Sequence, residues 1–179
     1  QLLSSSRPMT DLLEDASASI AWLDKVADLK PLGEEALASE VSSLLARHDD
    51  AAEAMRAVRY LRRRETLRTA MGWTLGIVDV EDTCAGLAAI DECTIGAALQ
   101  IALRELQSTA EEFEAGETAG EQLLTRIAVI GMGRLGGAEN GFGSDADVMF
   151  VHQPLDGGDE DAAQEQAARI VNPTLALLK

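Results

Sequence analysis

The chain has 179 residues, room for one ordinary domain or two small ones, and 46% of them are hydrophobic, which permits a buried core and excludes disorder throughout. Fifteen basic residues against 31 acidic ones give a formal charge of −16, so there is no general attraction for nucleic acid or an anionic membrane. An anionic ligand must be held by a local constellation, with a metal the natural aid. Cys84 and Cys93 lack the spacing of a disulfide framework, no run approaches about 18 apolar residues, and no signal peptide opens the chain; a reduced, cytoplasmic setting is expected. The absence of an initial Met and the apolar end (Leu175, Leu177, Leu178) read as a segment of a longer protein.

Aromatic residues are scarce and Ala and Leu dominate the apolar positions, which leans toward helices. Residues 1–114 read as an all-α bundle. Ser4 to Arg7 before Pro8 suit a helix start, followed by a short segment with Ile20, Trp22 and Leu23. Pro31 to Gly33 mark a turn, and from Glu34 the positions Leu37, Val41, Leu44 and Leu45 recur at helical spacing. A longer helix is predicted from Ala51 to Leu75, burying Met55, Val58, Leu61 and Leu67. Asp79 caps another helix, with Asp82 three residues on. A last helix from Thr94 to Phe113 carries Ile95, Leu99, Ala102, Leu106 and Phe113 as one stripe.

Six arginines (Arg56, Arg59, Arg62, Arg63, Arg64, Arg68) fall within thirteen positions, and Arg56, Arg59 and Arg63 share a helix face. They fit either a docking surface for an acidic partner or nucleotide phosphates, or a helix face pairing with acids of neighbouring helices. Residues 115–124, acidic and carrying Gly116 and Gly120, read as a linker.

After Arg126 the pattern turns to β. Ile127 to Ile130 form a short apolar strand, and a glycine-rich stretch from Gly131 to Gly143 leads into Ser144-Asp145-Ala146-Asp147 and a second strand ending at His152. The first loop residues match G-x-G-x-x-G. A dinucleotide fold, however, needs a full helix directly after the glycines and an acid at the end of the second strand. Here there is room for about one helical turn, and the acids open the strand. A Walker A loop is absent, since no Gly-Lys-Ser/Thr follows.

The two acids make better sense as a pair. Residues two apart on a strand point to one face, about 7 Å apart at Cα, where two carboxylates repel unless a divalent cation bridges them. Mg²⁺ takes carboxylates, substrate phosphates and water as ligands. The glycine turn lets backbone N–H groups approach phosphate oxygens, Ser144 adds a hydroxyl and Arg134 a cation. The strand places Ala146, Val148 and Phe150 on one face and Asp145, Asp147, Met149 and Val151 on the other. Beyond it come an acidic loop, Asp156 to Asp161, and a helix to about Val171, broken at Asn172-Pro173.

The stretch from Ile127 to His152 closely resembles the nucleotidyltransferase signature of glutamine synthetase adenylyltransferases, members of the DNA polymerase β-like superfamily. Residues 2–16, 61–82 and 94–103 also look like that family, and the Ala- and Arg-rich lead is similar to actinobacterial sequences. The resemblance implies an α+β chain: a helical bundle at 1–114, the linker, and at 125–179 the beginning of a polymerase β-like domain, a mixed sheet with flanking helices. It further implies that Asp145 and Asp147 bind Mg²⁺ and serve catalysis, while Gly133, Arg134, Gly143 and Ser144 line the triphosphate of ATP.

The implied activity is transfer of AMP from Mg–ATP to a tyrosine of glutamine synthetase. Glutamine synthetase and a PII-type nitrogen signal protein are the implied partners; neither nucleic acid nor membrane is. The wording around Asp145 is more similar to the adenylylating half of such enzymes than to the half that removes AMP. Asn140 departs from the pattern, the family often having Leu after Glu139. A third carboxylate, expected in a downstream D-x-R-x-R-P stretch, does not occur before Lys179, so the segment is expected to hold half a site and to turn over negligibly by itself.

Overall fold

The computed structural model of the chain describes residues 26–113 and 123–179; the expected helix at Pro8, the segment around Trp22 and most of the linker lie outside them. A 3-10 turn (Val26–Leu29) precedes three helices: α1 (Glu34–Leu45), α2 (Ala51–Thr74) and α3 (Val80–Phe113). Strand β1 (Thr125–Gly131), a one-turn helix α4 (Gly133–Gly136), strand β2 (Val148–Pro154) and helix α5 (Glu160–Leu178) complete the order. The chain is α+β: mostly helical, with a two-stranded antiparallel sheet.

The helix starts follow their caps. The Asp50 carboxylate accepts from the Glu53 N–H at 2.8 Å, Asp79 from the Asp82 N–H at 2.8 Å, and Asp159 from the Ala162 N–H at 2.9 Å. Each satisfies one donor of a first turn that has no intrahelical partner.

Two expectations about helix ends are corrected. The separate helices at Asp79 and Thr94 are one 34-residue helix, α3, because Asp91 at the expected break is taken into contacts with other elements. Helix α5 runs through Pro173 instead of stopping near Val171. Proline removes one backbone N–H bond, and the helix survives because Ile170 and Thr174 on either side of it are buried. The Thr174 hydroxyl also donates to the Ile170 carbonyl at 2.8 Å.

The main core lies where α1, α2 and α3 meet. Val41, Leu45, Met55, Val58, Leu61, Ala98 and Ile101 are buried there, with Leu177 and Leu178 of α5 packed against them. Leu37 and Leu67 are buried as the periodicity predicted. Residues Val80–Ser108 of helix α3 are apolar and long enough to cross a membrane by length and composition, although polar residues interrupt the run. The apolarity has another use here, since most of that stretch is buried among α1, α2 and α5.

A second cluster joins the bundle to the sheet: Ala102 and Leu106 of α3 meet Ile170 of α5 and Ile127 of β1. A third sets Ala88 and Ile95 of α3 against Leu135 of α4, with Val129 and Val148 from the two strands. One sheet face is therefore held by helices α3 and α5, and no described element covers the other.

Candidate active site

Strand register builds the site. Residues 125–131 pair antiparallel with 154–148, so that Gly131 faces Val148 and the glycine-rich loop connects the same end of both strands. One rung further, the Met132 N–H donates to the Asp147 carbonyl at 2.8 Å. The acids thus stand just before the regular strand: β2 begins at Val148, and Asp145 and Asp147 belong to the extended approach to it, not to its first residues as expected. The alternation holds from Val148 to Val151, whereas Ala146, expected on the buried face, is exposed like the acids. Val148 and Phe150 are half-buried toward the helices, while Met149 and Val151 are exposed on the opposite face.

The first turn of the loop depends on two glycines. Gly133 has φ of +52°, a conformation an L side chain rarely adopts. A Cβ on Gly136 would clash with the Gly131 carbonyl oxygen, so the loop doubles back on the strand it has just left. The G-x-G-x-x-G spacing serves this single turn of helix, four residues long, and not the long helix of a dinucleotide fold.

Gly133 lies against the second acid: a Cβ built on it would sit 3.9 Å from Asp147 Oδ2. Arg134 is exposed in the same turn, and its carbonyl accepts from the Glu139 N–H at 2.8 Å. Gly143, exposed with φ of +77°, precedes a closed Ser144 turn. There the Ser144 N–H donates to the Gly141 carbonyl at 3.0 Å, and the Gly141 N–H donates to the Ser144 hydroxyl at 2.9 Å. The hydroxyl proton remains available to a ligand.

Both carboxylates are exposed, and neither makes an ion pair among the described residues. No group of three or more His, Cys, Asp or Glu capable of holding a metal occurs among those residues. The donor set is thus two unpaired carboxylates beside a loop of backbone N–H groups. That falls short of a cation cage made by protein alone and matches the one or two carboxylates Mg²⁺ uses when phosphates and water complete its shell.

Behind the acids, Ala146 and Val148 line a cavity of about 590 Å³ together with Arg59, Arg62 and Arg63 of α2. The arginine run is divided. Arg56 and Arg64 line a different cleft, between α1 and α2. Most of the run is engaged internally. Arg62 pairs with Asp91 at 2.8 Å, Arg64 with Glu40 and Glu65, Arg68 with Glu65 at 2.8 Å, and Arg59 donates to the Leu177 carbonyl at 2.6 Å. Burial opposes the Arg64 charge, yet hydrogen bonds to Glu40 and Glu65 hold its guanidinium above the ordinary value.

Sequence reasoning placed no weight on Asn140, which is fully buried in the glycine-rich loop. Its amide donates to Asp91 Oδ2 at 2.8 Å, and the other oxygen of Asp91 accepts from Arg62 Nε at 3.0 Å. These pairs join positions 49 and 29 residues apart. The one available signal was a polar residue at a position where the family often has Leu.

A sequence profile of the glutamate–ammonia ligase adenylyltransferase family matches residues 1–177. The chain is 40% identical over 96% of its length to a bifunctional glutamine synthetase adenylyltransferase/adenylyl-removing enzyme of Leifsonia xyli, and 39% identical over its whole length to one of Streptomyces coelicolor. A relative of the same name from Corynebacterium efficiens is 43% identical over 69% of the chain. The chain spans 16%, 18% and 11% of the lengths of these three relatives. By its sequence over nearly every residue, the chain belongs to the glutamate–ammonia ligase adenylyltransferase family.

Proposed function

We propose that this segment contributes the nucleotide end of a cytoplasmic adenylyltransferase site, which moves AMP from Mg–ATP to a tyrosine of glutamine synthetase. The observation that carries the reading is the juxtaposition of Gly133 and Asp147 across the end of the sheet, with both acids exposed and unpaired beside the loop. The names of the relatives supply the substrate protein.

In this reading Asp145 and Asp147 hold Mg²⁺. Gly133, Arg134, Gly143 and Ser144 receive the triphosphate through backbone N–H groups, a guanidinium and a hydroxyl. Bound Mg²⁺ would neutralise charge on the phosphates and orient the α-phosphate. The chain's own contribution is positioning and preorganised donors: a fixed turn beside the phosphates, and two exposed carboxylates two residues apart just before the second strand. The tyrosine hydroxyl attacks the α-phosphate in line and pyrophosphate leaves. A third carboxylate and the surface that docks glutamine synthetase belong to the rest of the polypeptide, as does contact with a PII-type signal protein. The arginines of α2 make a poor docking face, because most are committed to Asp91, Glu40, Glu65 and Leu177.

The test uses a polypeptide of its relatives' length in which Asp145 and Asp147 are both changed to Asn. Label transfer from α-labelled ATP to glutamine synthetase should fall by at least about a thousandfold, and Mg²⁺-dependent ATP binding by calorimetry should be lost with it. Normal AMP transfer by that variant would refute the site. Loss confined to phosphate-dependent release of ADP from adenylylated glutamine synthetase would assign these acids to the removing activity instead.

A further inference from the structure

Between Leu135, packed in the third apolar cluster, and the Met132–Asp147 backbone bond lie eleven residues that are mostly exposed. Asn140 is the exception. It is wholly buried, and it is the point at which this loop is tied to the helical bundle by a side-chain hydrogen bond. Its partner, Asp91, sits inside α3 with a nearly buried carboxylate that also binds Arg62 of α2 through Nε at 3.0 Å and Nη2 at 2.8 Å. Three elements far apart in sequence meet at one carboxylate.

An apolar side chain at position 140 would fill space without choosing one orientation of the loop. A buried amide donating to a carboxylate is satisfied in one geometry and costly in every other. Asp91, in turn, is tolerated inside the fold because it has two donors, one of them a cation. Asn140 Oδ1 has no partner among the described residues, so the amide is held by its donor side alone, and the bond to Asp91 decides where it sits.

We propose that Asn140 and Asp91 are positioning residues for the nucleotide site. Together they tether the loop that carries Ser144, Asp145 and Asp147 to the bundle, with Arg62 compensating the Asp91 charge. The inference rests on the reading of Asp145 and Asp147 as the Mg²⁺-binding acids. Neither Asn140 nor Asp91 touches substrate; each acts by limiting where the two acids stand.

The experiment uses the polypeptide of its relatives' length and four variants: Asn140→Ala, the volume-keeping Asn140→Leu, Asp91→Ala, and Asp147→Asn as reference. The first readout, independent of activity, is amide hydrogen exchange over residues 138–147. Both Asn140 variants should exchange about tenfold faster there, with α3 unchanged, and Asp91→Ala should loosen the same residues because it removes the same N–H···O bond. The second readout is the Mg²⁺ concentration at half-maximal AMP transfer, expected to rise about tenfold in both Asn140 variants and in Asp91→Ala.

Unchanged exchange in both Asn140→Ala and Asn140→Leu overturns the tether. So does a fall in maximal rate with no shift in Mg²⁺ dependence, which marks a merely structural residue, and so does normal protection of residues 138–147 in Asp91→Ala. Normal transfer by Asp147→Asn would refute the Mg²⁺ reading while leaving the exchange result to judge the tether.

Discussion

Glu65 offers the sharpest test of how the bundle handles its charges. Its side chain is 1% exposed inside α2, with Oε1 2.7 Å from Arg64 Nε and Oε2 2.8 Å from Arg68 Nε, the second an ion pair by distance without hydrogen-bond alignment. The two arginine side chains are themselves only 25% and 13% exposed. Changing Glu65 to Ala leaves two largely buried guanidiniums short of a counter-charge, although Glu40 still serves Arg64 and the Asp28 carbonyl still serves Arg68. Removing one member of a buried pair costs about 3–5 kcal/mol, which for a chain of this size lowers the melting temperature by roughly 6–20 °C.

Replacing all three residues together, Arg64→Met, Glu65→Leu and Arg68→Met, removes the charges along with the need to solvate them, and should leave stability within about 2 kcal/mol of the original or above it. Thermal and urea unfolding of the 179-residue chain, followed by circular dichroism, measures both. If Glu65→Ala melts within about 1 kcal/mol of the parent chain, the arginines reach water without it and the argument from burial is wrong.

Three further outcomes follow from the packing and the loop. Ile170→Ala, at the junction of α5, α3 and β1, should cost about 2–5 kcal/mol against roughly 0.5–1.5 for Ile170→Val, and equal effects in urea titrations would show that the site collapses around the deletion. Gly136→Ala drives a methyl into the Gly131 carbonyl and should destabilise by about 1–3 kcal/mol, whereas Gly96→Ala, with open space around it on α3, should be neutral or stabilising by up to about 1 kcal/mol. Burial, with the nearby Glu40 charge, pushes the Cys93 thiol above its ordinary pKa. Its thiolate fraction at pH 8 is then lower than that of a free thiol, so alkylation by iodoacetamide should be slow in the folded chain, rise with pH, and accelerate in urea; equal rates folded and unfolded would contradict this.

Much of the architecture was legible because it is written in local patterns. Leu37, Val41 and Leu45 on α1, and Met55, Val58, Leu61 and Leu67 on α2, repeat at helical spacing and are buried where that spacing put them. Asp79 caps the helix that begins beside it, as read, and Asp50 and Asp159, not singled out in the sequence, cap α2 and α5 in the same way. The glycines between Gly131 and Gly143 announced a turn with room for one turn of helix, and Ser144, Asp145 and Asp147 announced an acid pair beside it; all of these depend on neighbours a few residues away.

What the tertiary structure alone decided are the relations between distant residues. Local signals placed a break inside α3 and another at Pro173, yet both helices continue, because contacts from other elements outweigh the local cost. The arginine run could have faced outward to a partner or inward to acids, and only the positions of Glu40, Glu65 and Asp91 settled which. Asn140 stood out only as a departure from the family pattern, without a role, until the fold buried it against Asp91. Periodicity and capping report what a residue does within one turn of chain, whereas charge pairing and burial depend on which elements the packed core brings within 3 Å of each other, across separations of 29 and 49 residues.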